Sequence, residues 1–496
     1  MLSYCSKTVI LSCKNSNFKN IQLINKQIRL YSGSTFDVLN PVNGTVVGTV
    51  PDMTIDEIKE KVEKASDAHH EWKLTTAKHR AGLLRKWFNL LEQNSADIAK
   101  TLSKEAGKPF NEAVGEVAYG NSFVEWSSEE ARTVLGQIIP SPYKSKKILV
   151  EKHPIGVVGI ITPWNFPHAM ITRKAGAALA AGCTCVIKPA AETPLTAITL
   201  TQLAHEAGIP ENVMNVVTVN VNKASQVGTL FCTSPLIAGI SFTGSTVVGK
   251  ILYRLCADHV KRISLELGGN APFIIFDSAD IDKAVEAALV AKFRNCGQTC
   301  VAANRFLVQS GIYDKFVAAL TEKVKKLRMG DVSQPDVQLG PLINSKQFNT
   351  VTRFVEDAIS KGAKVLLGGK AATHIGQLFY EPTILADIKP DMKVYNEEIF
   401  GPVVPLIQFK KEEEAIKIAN STMAGLAGYL CSSDVNQIFR VSKLLETGMV
   451  GINEGLISMA EAPFGGIKDS GIGREGSIYG IDEFLYVKYY CLGGLD

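Results

Sequence analysis

The chain is predicted to be an α/β protein with two parallel-sheet domains, and three observations point there. Its 496 residues exceed what one small core requires and suggest two or three domains. Through the middle of the chain, short apolar runs alternate with helical stretches, the pattern of a parallel sheet with crossover helices. The alternation begins again near Ile263, so a second α/β unit follows the first.

In chain order, Thr54 opens a helix through the capping box Thr54-Ile55-Asp56-Glu57, with Ile58, Val62 and Ala65 at helical spacing. Residues 79–106 continue helical through Leu83, Leu84, Trp87, Leu90 and Leu91 and stop at Gly107-Lys108-Pro109. Strands are expected at 156–161, 183–187, 213–219 and 237–242, with helices between them. In the second series, 272–276 reads as a strand and 281–293 as a helix leading directly into Cys300. Two segments stand apart: Ile148-Leu149-Val150 within 146–152, and residues 484–491, both strands flanked by charge. There is no internal repeat or low-complexity linker.

Charged residues make up 21% and hydrophobic ones 46%, ordinary values for a soluble globular enzyme. The net charge of +4 is unevenly placed. Residues 1–36 hold Lys7, Lys14, Lys19, Lys26 and Arg29 without an Asp or Glu, and the remainder balances 48 basic against 49 acidic residues. Nucleic acid is therefore not an expected partner. No apolar run reaches the roughly 18 residues of a membrane-spanning helix, so no membrane insertion is expected. The acid-free N-terminus reads as a mitochondrial transit peptide over 1–31, because Arg29-Leu30-Tyr31-Ser32 resembles a matrix-processing site cut after Tyr31. The mitochondrial matrix is then the expected location. Ten cysteines show neither a disulfide framework nor a paired Cys-x-x-Cys spacing, so reduced thiols and no metal site are expected.

The chemistry concentrates in Leu265-Glu266-Leu267-Gly268-Gly269-Asn270 and Gly297-Gln298-Thr299-Cys300. A thiol acts as a nucleophile in its thiolate form, and a nearby carboxylate can take a proton from the thiol or from a water. Two further patterns look like nucleotide sites. Gly471-Ile472-Gly473-Arg474-Glu475-Gly476 fits the dinucleotide fingerprint literally, but it follows Lys468-Asp469-Ser470, not an apolar strand, and leaves no room for a βαβ unit. Gly244-Ser245-Thr246-Val247-Val248-Gly249-Lys250 approaches a phosphate loop, but Ile251 stands where a Ser or Thr would ligate magnesium. Following a strand and opening a helix, this second segment still suits a pyrophosphate through its backbone N–H groups.

The Glu266 and Cys300 segments resemble the two active-site signatures of the aldehyde dehydrogenase superfamily. Pro163-Trp164-Asn165-Phe166-Pro167, Lys188-Pro189, Phe242-Thr243-Gly244-Ser245 and Glu397-Glu398-Ile399-Phe400-Gly401-Pro402 follow in the family's order. The resemblance runs from about residue 36 to the C-terminus. It implies Cys300 as nucleophile, Glu266 as general base, Asn165 as oxyanion donor with the Cys300 N–H, and Lys174 in an inner polar network. It also implies NAD or NADP as cofactor. Gly244, Ser245 and Gly249 would hold the pyrophosphate, Lys188 the adenosine ribose and Glu398 the nicotinamide ribose with Phe400 beside it. Thr162, Trp164, Ala191 and Leu267 would complete that site.

The family's architecture implies a Rossmann-like cofactor-binding domain at 36–139 and 160–265 and a catalytic domain at 266–465. Oligomerisation segments at 140–159 and 466–496 would form a small sheet that makes a homodimer or homotetramer. Arg173, Arg294 and Ser458 match the carboxylate-binding residues of the branch that oxidises succinate semialdehyde in 4-aminobutyrate degradation, and a planar guanidinium suits that carboxylate. Another carboxylated semialdehyde, such as glutarate semialdehyde, is the alternative substrate. A cysteine hydrolase and a non-catalytic structural protein are the alternatives of other classes; the first would need a histidine beside Cys300. Relatives that prefer NAD carry a glutamate three residues after the strand-end lysine. Here that residue is Ala191, with Glu192 displaced by one, so use of both cofactors is expected. Some animal relatives have a redox cysteine two residues after the nucleophile. Here Ala302 rules that pairing out, and Cys296 is read as a buried packing residue.

Overall fold

The structure is a computed structural model and describes residues 33–495. The expected transit peptide lies outside those residues. Two large sheets dominate. The first runs Gly471–Ile472, Arg262–Glu266, Ile237–Thr243, Val157–Ile161, Thr184–Lys188, Met214–Val216 from edge to edge. Its last five strands are parallel, and numbered along the chain they lie in the order 5-4-1-2-3, a Rossmann sheet without its sixth strand. Alternate residues serve opposite faces: Val158 and Ile160 enter one apolar cluster, Val157 and Ile161 another. Both faces are covered by helices, which is why these strands read as unbroken apolar runs. The order reverses between Val157–Ile161 and Ile237–Thr243, and their C-terminal ends border a crevice suited to a ligand.

The second sheet runs Lys364–Leu367, Thr383–Ala386, Val403–Phe409, Ala303–Gln309, Ala271–Ile275, Ala427–Cys431, Met449–Ile452. Only its first pair is antiparallel. A smaller sheet joins Leu485–Leu492 and Gln137–Ile139 to either edge of Lys147–Pro154.

The capping box at Thr54 forms as expected, the Glu57 N–H donating to Thr54 Oγ1 at 3.2 Å and the Thr54 N–H to Glu57 Oε2 at 2.7 Å. Three details differ from expectation. The helix expected over 79–106 is two helices, Ala77–Gln93 and Ser95–Ala106, because Asn94 leaves the helical region and turns its amide back onto the Leu90 carbonyl at 2.8 Å. Gln137–Ile139 is a strand although three exposed residues carry no readable period. The fingerprint-like Gly471–Ile472 pairs antiparallel with Glu266 and Leu265, so the chain's tail closes the first sheet beside the general-base candidate.

Candidate active site

Helix Ile281–Phe293, capped by the Asp280 side chain, delivers the chain to a tight turn before Cys300. Asn295, Cys296 and Gly297 occupy the left-handed region with φ of 53°, 55° and 75°. Each non-glycine residue there costs roughly 1–2 kcal/mol, so the turn must be held from outside. The Asn295 N–H donates to the Glu112 carboxylate at 2.9 Å, and its side-chain amide donates to the carbonyls of Asn165 at 3.0 Å and Gln298 at 3.1 Å. Gly297 admits no side chain, since a Cβ would sit 2.2 Å from the Gly401 carbonyl oxygen. Beyond Cys300, buried Tyr429 donates to the Val301 carbonyl at 2.8 Å. Cys296 is buried against Ile274, Phe276 and Leu307, whereas Cys300 is partly exposed. Burial pushes the Cys300 thiol up to about 12, against the pull of Arg173 toward the thiolate; Glu266 and Glu398 push the same way as burial. Among the described residues no imidazole bonds to this thiol. The nearest in sequence to Asn165, His168, is fully buried with both ring nitrogens unpartnered, and burial holds its pKa down at about 3.

Glu266 ends a strand of the first sheet and is 1% exposed, with neither carboxyl oxygen hydrogen-bonded. Burial first, and the Glu475 charge second, lift its pKa well above the carboxylate range; Arg173, Lys174 and Arg474 oppose. Arg173 and Lys174 come from helix Ala169–Ala181, and Glu475 pairs with both. Lys174 also donates to Ser241 Oγ at 3.2 Å. Arg173 lies 4.4 Å from the Phe464 ring centroid; burial works against its charge, but Glu475 together with Tyr119, Glu266 and Cys300 holds its pKa above the ordinary guanidinium range.

Asn165 is buried, and its Nδ2 donates to the Gln298 carbonyl at 3.1 Å, which leaves one amide hydrogen free. Arg294 sits over the ring of Phe166 at 4.8 Å and near Tyr119 at 5.8 Å. Among the described residues it has no carboxylate partner, unlike Arg173. Ser458 is half-buried in the segment after strand Met449–Ile452.

The residues expected to hold a dinucleotide gather at the reversal point of the first sheet. Thr162 and Thr243 each leave a buried hydroxyl unpartnered at the ends of its two central strands. Ser245 caps helix Thr246–Ala257 through Val248, and Gly249 lets that helix close on Leu267, where a Cβ would stand 2.3 Å from the leucine side chain. Lys188 Nζ turns to the Pro189 carbonyl at 2.9 Å, and burial holds its pKa down at about 8. Ala191 and Glu192 line a cavity of about 750 Å³, and Glu192 accepts from Asn344 Nδ2 at 3.1 Å. Glu398 accepts the Gly269 N–H at 3.1 Å, while Trp164 meets Phe400 edge-on at 5.5 Å. Burial raises Glu398 to about 7, against Gly269 and Lys292. Unpartnered hydroxyls, a helix N-terminus and a carboxyl at one crevice fit a dinucleotide.

Sequence reasoning missed four groups. Glu475 lay inside the discounted glycine pattern. Asn304 holds the Glu398 loop by donating to the Glu397 carbonyl at 2.9 Å and accepting from the Ile399 N–H at 3.1 Å. Tyr429 and Lys108 reach the site from distant elements. Only the Gly-rich setting of Glu475 offered any sequence signal.

Known proteins resemble this chain over most of its length. The family model described as "Aldehyde dehydrogenase family" matches residues 30–490. The mitochondrial succinate-semialdehyde dehydrogenase of Mus musculus is 55% identical over 463 residues, 93% of this chain and 88% of that protein. Succinate-semialdehyde dehydrogenase [NADP(+)] GabD of Escherichia coli (strain K12) is 50% identical over 477 residues, 96% of this chain and 98% of its own length. The crystal structure of succinate-semialdehyde dehydrogenase from Burkholderia pseudomallei superposes with a TM-score of 0.91 at 49% identity, covering 93% of this chain and 95% of that one.

Proposed function

The chain belongs to the aldehyde dehydrogenase family, and from that premise we propose that it oxidises succinate semialdehyde to succinate with NAD⁺ or NADP⁺. The observation that carries the substrate choice is Arg294, a guanidinium without a carboxylate partner among the described residues, held over Phe166 beside Asn165. It offers a substrate carboxylate a planar pair of donors near the nucleophile. Ser458 adds a hydroxyl. Arg173 adds positive charge while remaining tied to Glu475.

Cys300 attacks the aldehyde carbon, and negative charge moves to the carbonyl oxygen. The free hydrogen of Asn165 Nδ2 and the Cys300 N–H donate to that oxygen. Arg173 favours the thiolate. The bound dinucleotide supplies the hydride acceptor. Gly244, Ser245 and Gly249 would hold its pyrophosphate, with Thr162, Trp164 and Leu267 around it. Lys188 and Glu398 would hold its two riboses, with Phe400 beside the second. Glu266, free of other hydrogen bonds, takes a proton from the water that opens the Cys300 thioester. Lys174, fixed by Ser241 and Glu475, keeps that pocket ordered.

Ala191 places no carboxylate at the adenosine ribose, and Glu192 is engaged by Asn344, which supports use of both cofactors. An acid-free N-terminus and the mitochondrial naming of the mouse relative support residence in the matrix. Exposed Val487, Tyr489 and Ile138 on the small sheet support a dimer or tetramer. The test is kcat/KM for succinate semialdehyde, glutarate semialdehyde and propanal with each cofactor. Preference for the first is expected, and equal values for all three would remove the carboxylate site from the reading.

A further inference from the structure

The loop bearing Asn165 is held from behind by a buried ion pair that the mechanism above does not use. Lys108 follows helix Ser95–Ala106, and Glu116 lies in helix Phe110–Glu130. Lys108 Nζ donates to the Asn165 carbonyl at 2.9 Å and pairs with Glu116, both side chains being 1% exposed. Glu116 accepts the His168 N–H on its other oxygen at 3.0 Å, and Lys108 also sits 3.9 Å from the Phe166 ring centroid. Asn295 donates to the same Asn165 carbonyl at 3.0 Å, so both lone pairs of that oxygen are engaged.

A buried ion pair is poor value for stability alone, since apolar residues of similar size often serve as well or better. Its placement therefore calls for another explanation. We propose that the Lys108–Glu116 pair is the positioning device of the oxyanion site, fixing the Asn165 carbonyl and the His168 N–H so that the Asn165 amide faces the carbon attacked by Cys300. The proposal rests on Asn165 being the oxyanion donor. The pair clamps two neighbouring stations. One is the peptide that orients Asn165, and the other is the start of the helix carrying Arg173 and Lys174. Lys108 touches neither substrate nor cofactor in this scheme. It acts through Asn165. Without it the carbonyl keeps only the Asn295 donor, and a displacement of about 1 Å at a reacting group can cost on the order of 100-fold.

A double-mutant cycle tests this, using the single-turnover rate of reduced nicotinamide formation from succinate semialdehyde. Asn165→Ala should lower the rate by roughly 100-fold, the usual loss for an oxyanion donor. Lys108→Met, which keeps the volume, should lower it by roughly 10- to 100-fold with KM within about threefold. The double variant should fall within about threefold of Asn165→Ala alone, because Lys108 would have nothing left to position. Alkylation of Cys300 by iodoacetamide develops no oxyanion and should change less than about threefold in every variant. Additive losses in the double variant, an undiminished rate in Lys108→Met, or alkylation slowed in parallel would overturn the proposal. If Lys108→Met does not fold, Glu116→Gln takes its place in the cycle; if neither folds, the pair is structural and the proposal fails. An undiminished rate in Asn165→Ala would instead remove the oxyanion reading beneath it.

Discussion

Two buried charge clusters flank the reaction centre, and they are built on opposite plans. Around Lys108, the ammonium is bonded to Glu116 and Asn165, both Glu116 oxygens are engaged, and Glu112 accepts from Asn295. Around Glu475, two cations and two carboxyls are present, yet Glu475 takes both cations and Glu266 is left with neither oxygen bonded. A buried polar group without partners is costly. Its cost shows here as the raised pKa of Glu266. Among the carboxyls of the two clusters, Glu112, Glu116 and Glu475 are engaged, and only the proposed general base has neither oxygen bonded.

The strongest attempt to break the contrast is Glu266→Gln. Turnover should fall by roughly 10²- to 10⁴-fold, and the Cys300 thioester should accumulate and be detectable by mass spectrometry of the quenched protein. The same variant should be more stable than its parent in alkaline solution. A carboxyl whose folded pKa is raised contributes stability below its unfolded value, and loses it as pH climbs through the folded one. Melting temperatures at about pH 5 and about pH 9 check this, with the gain expected only at the higher. Glu475→Gln should cost about 3–5 kcal/mol in urea unfolding, since two buried cations lose their anion. It should also move the rising limb of the pH–rate profile to lower pH, because the Glu475 charge is one of the causes that raise the Glu266 pKa. Arg294→Ala should lower kcat/KM for succinate semialdehyde by about 1.5–3 kcal/mol, the range for hydrogen bonds to charged groups, and leave propanal nearly unchanged. Thr54→Ala removes a cap outside both clusters. It should cost about 1 kcal/mol in stability without altering kcat, and so calibrates an ordinary satisfied group.

Much of this was legible in the chain. The strands of the first sheet announced themselves because both their faces are covered, and helix 281–293 because Asp280 caps a run of the right length. The six ordered motifs singled out Cys300, Glu266 and Asn165 as candidates, and the fold brings their segments together. What stayed hidden depends on partners far away in sequence. Lys108 reads as part of a Gly-Lys-Pro helix stop, and nothing local says that its ammonium turns inward to Asn165, 57 residues on. Glu475 was concealed by a glycine pattern whose real service is to let an edge strand pair with Glu266. Gln137–Ile139 is too short and too exposed to show a period.

The tail strand at Gly471–Ile472 also carries a consequence for how the molecule comes into being. Lys174 emerges from the ribosome 301 residues before Glu475, the anion that neutralises it. Until that late stretch arrives, the nascent chain exposes two cations at its future centre and an unfinished sheet edge at Glu266. A polypeptide released shortly before residue 471 would carry Cys300, the Asn165 loop and the crevice of the first sheet, but would lack the anion that pairs with Arg173 and Lys174 and the strand that closes the sheet at Glu266. The last residues synthesised thus supply the charge balance at the centre of the site.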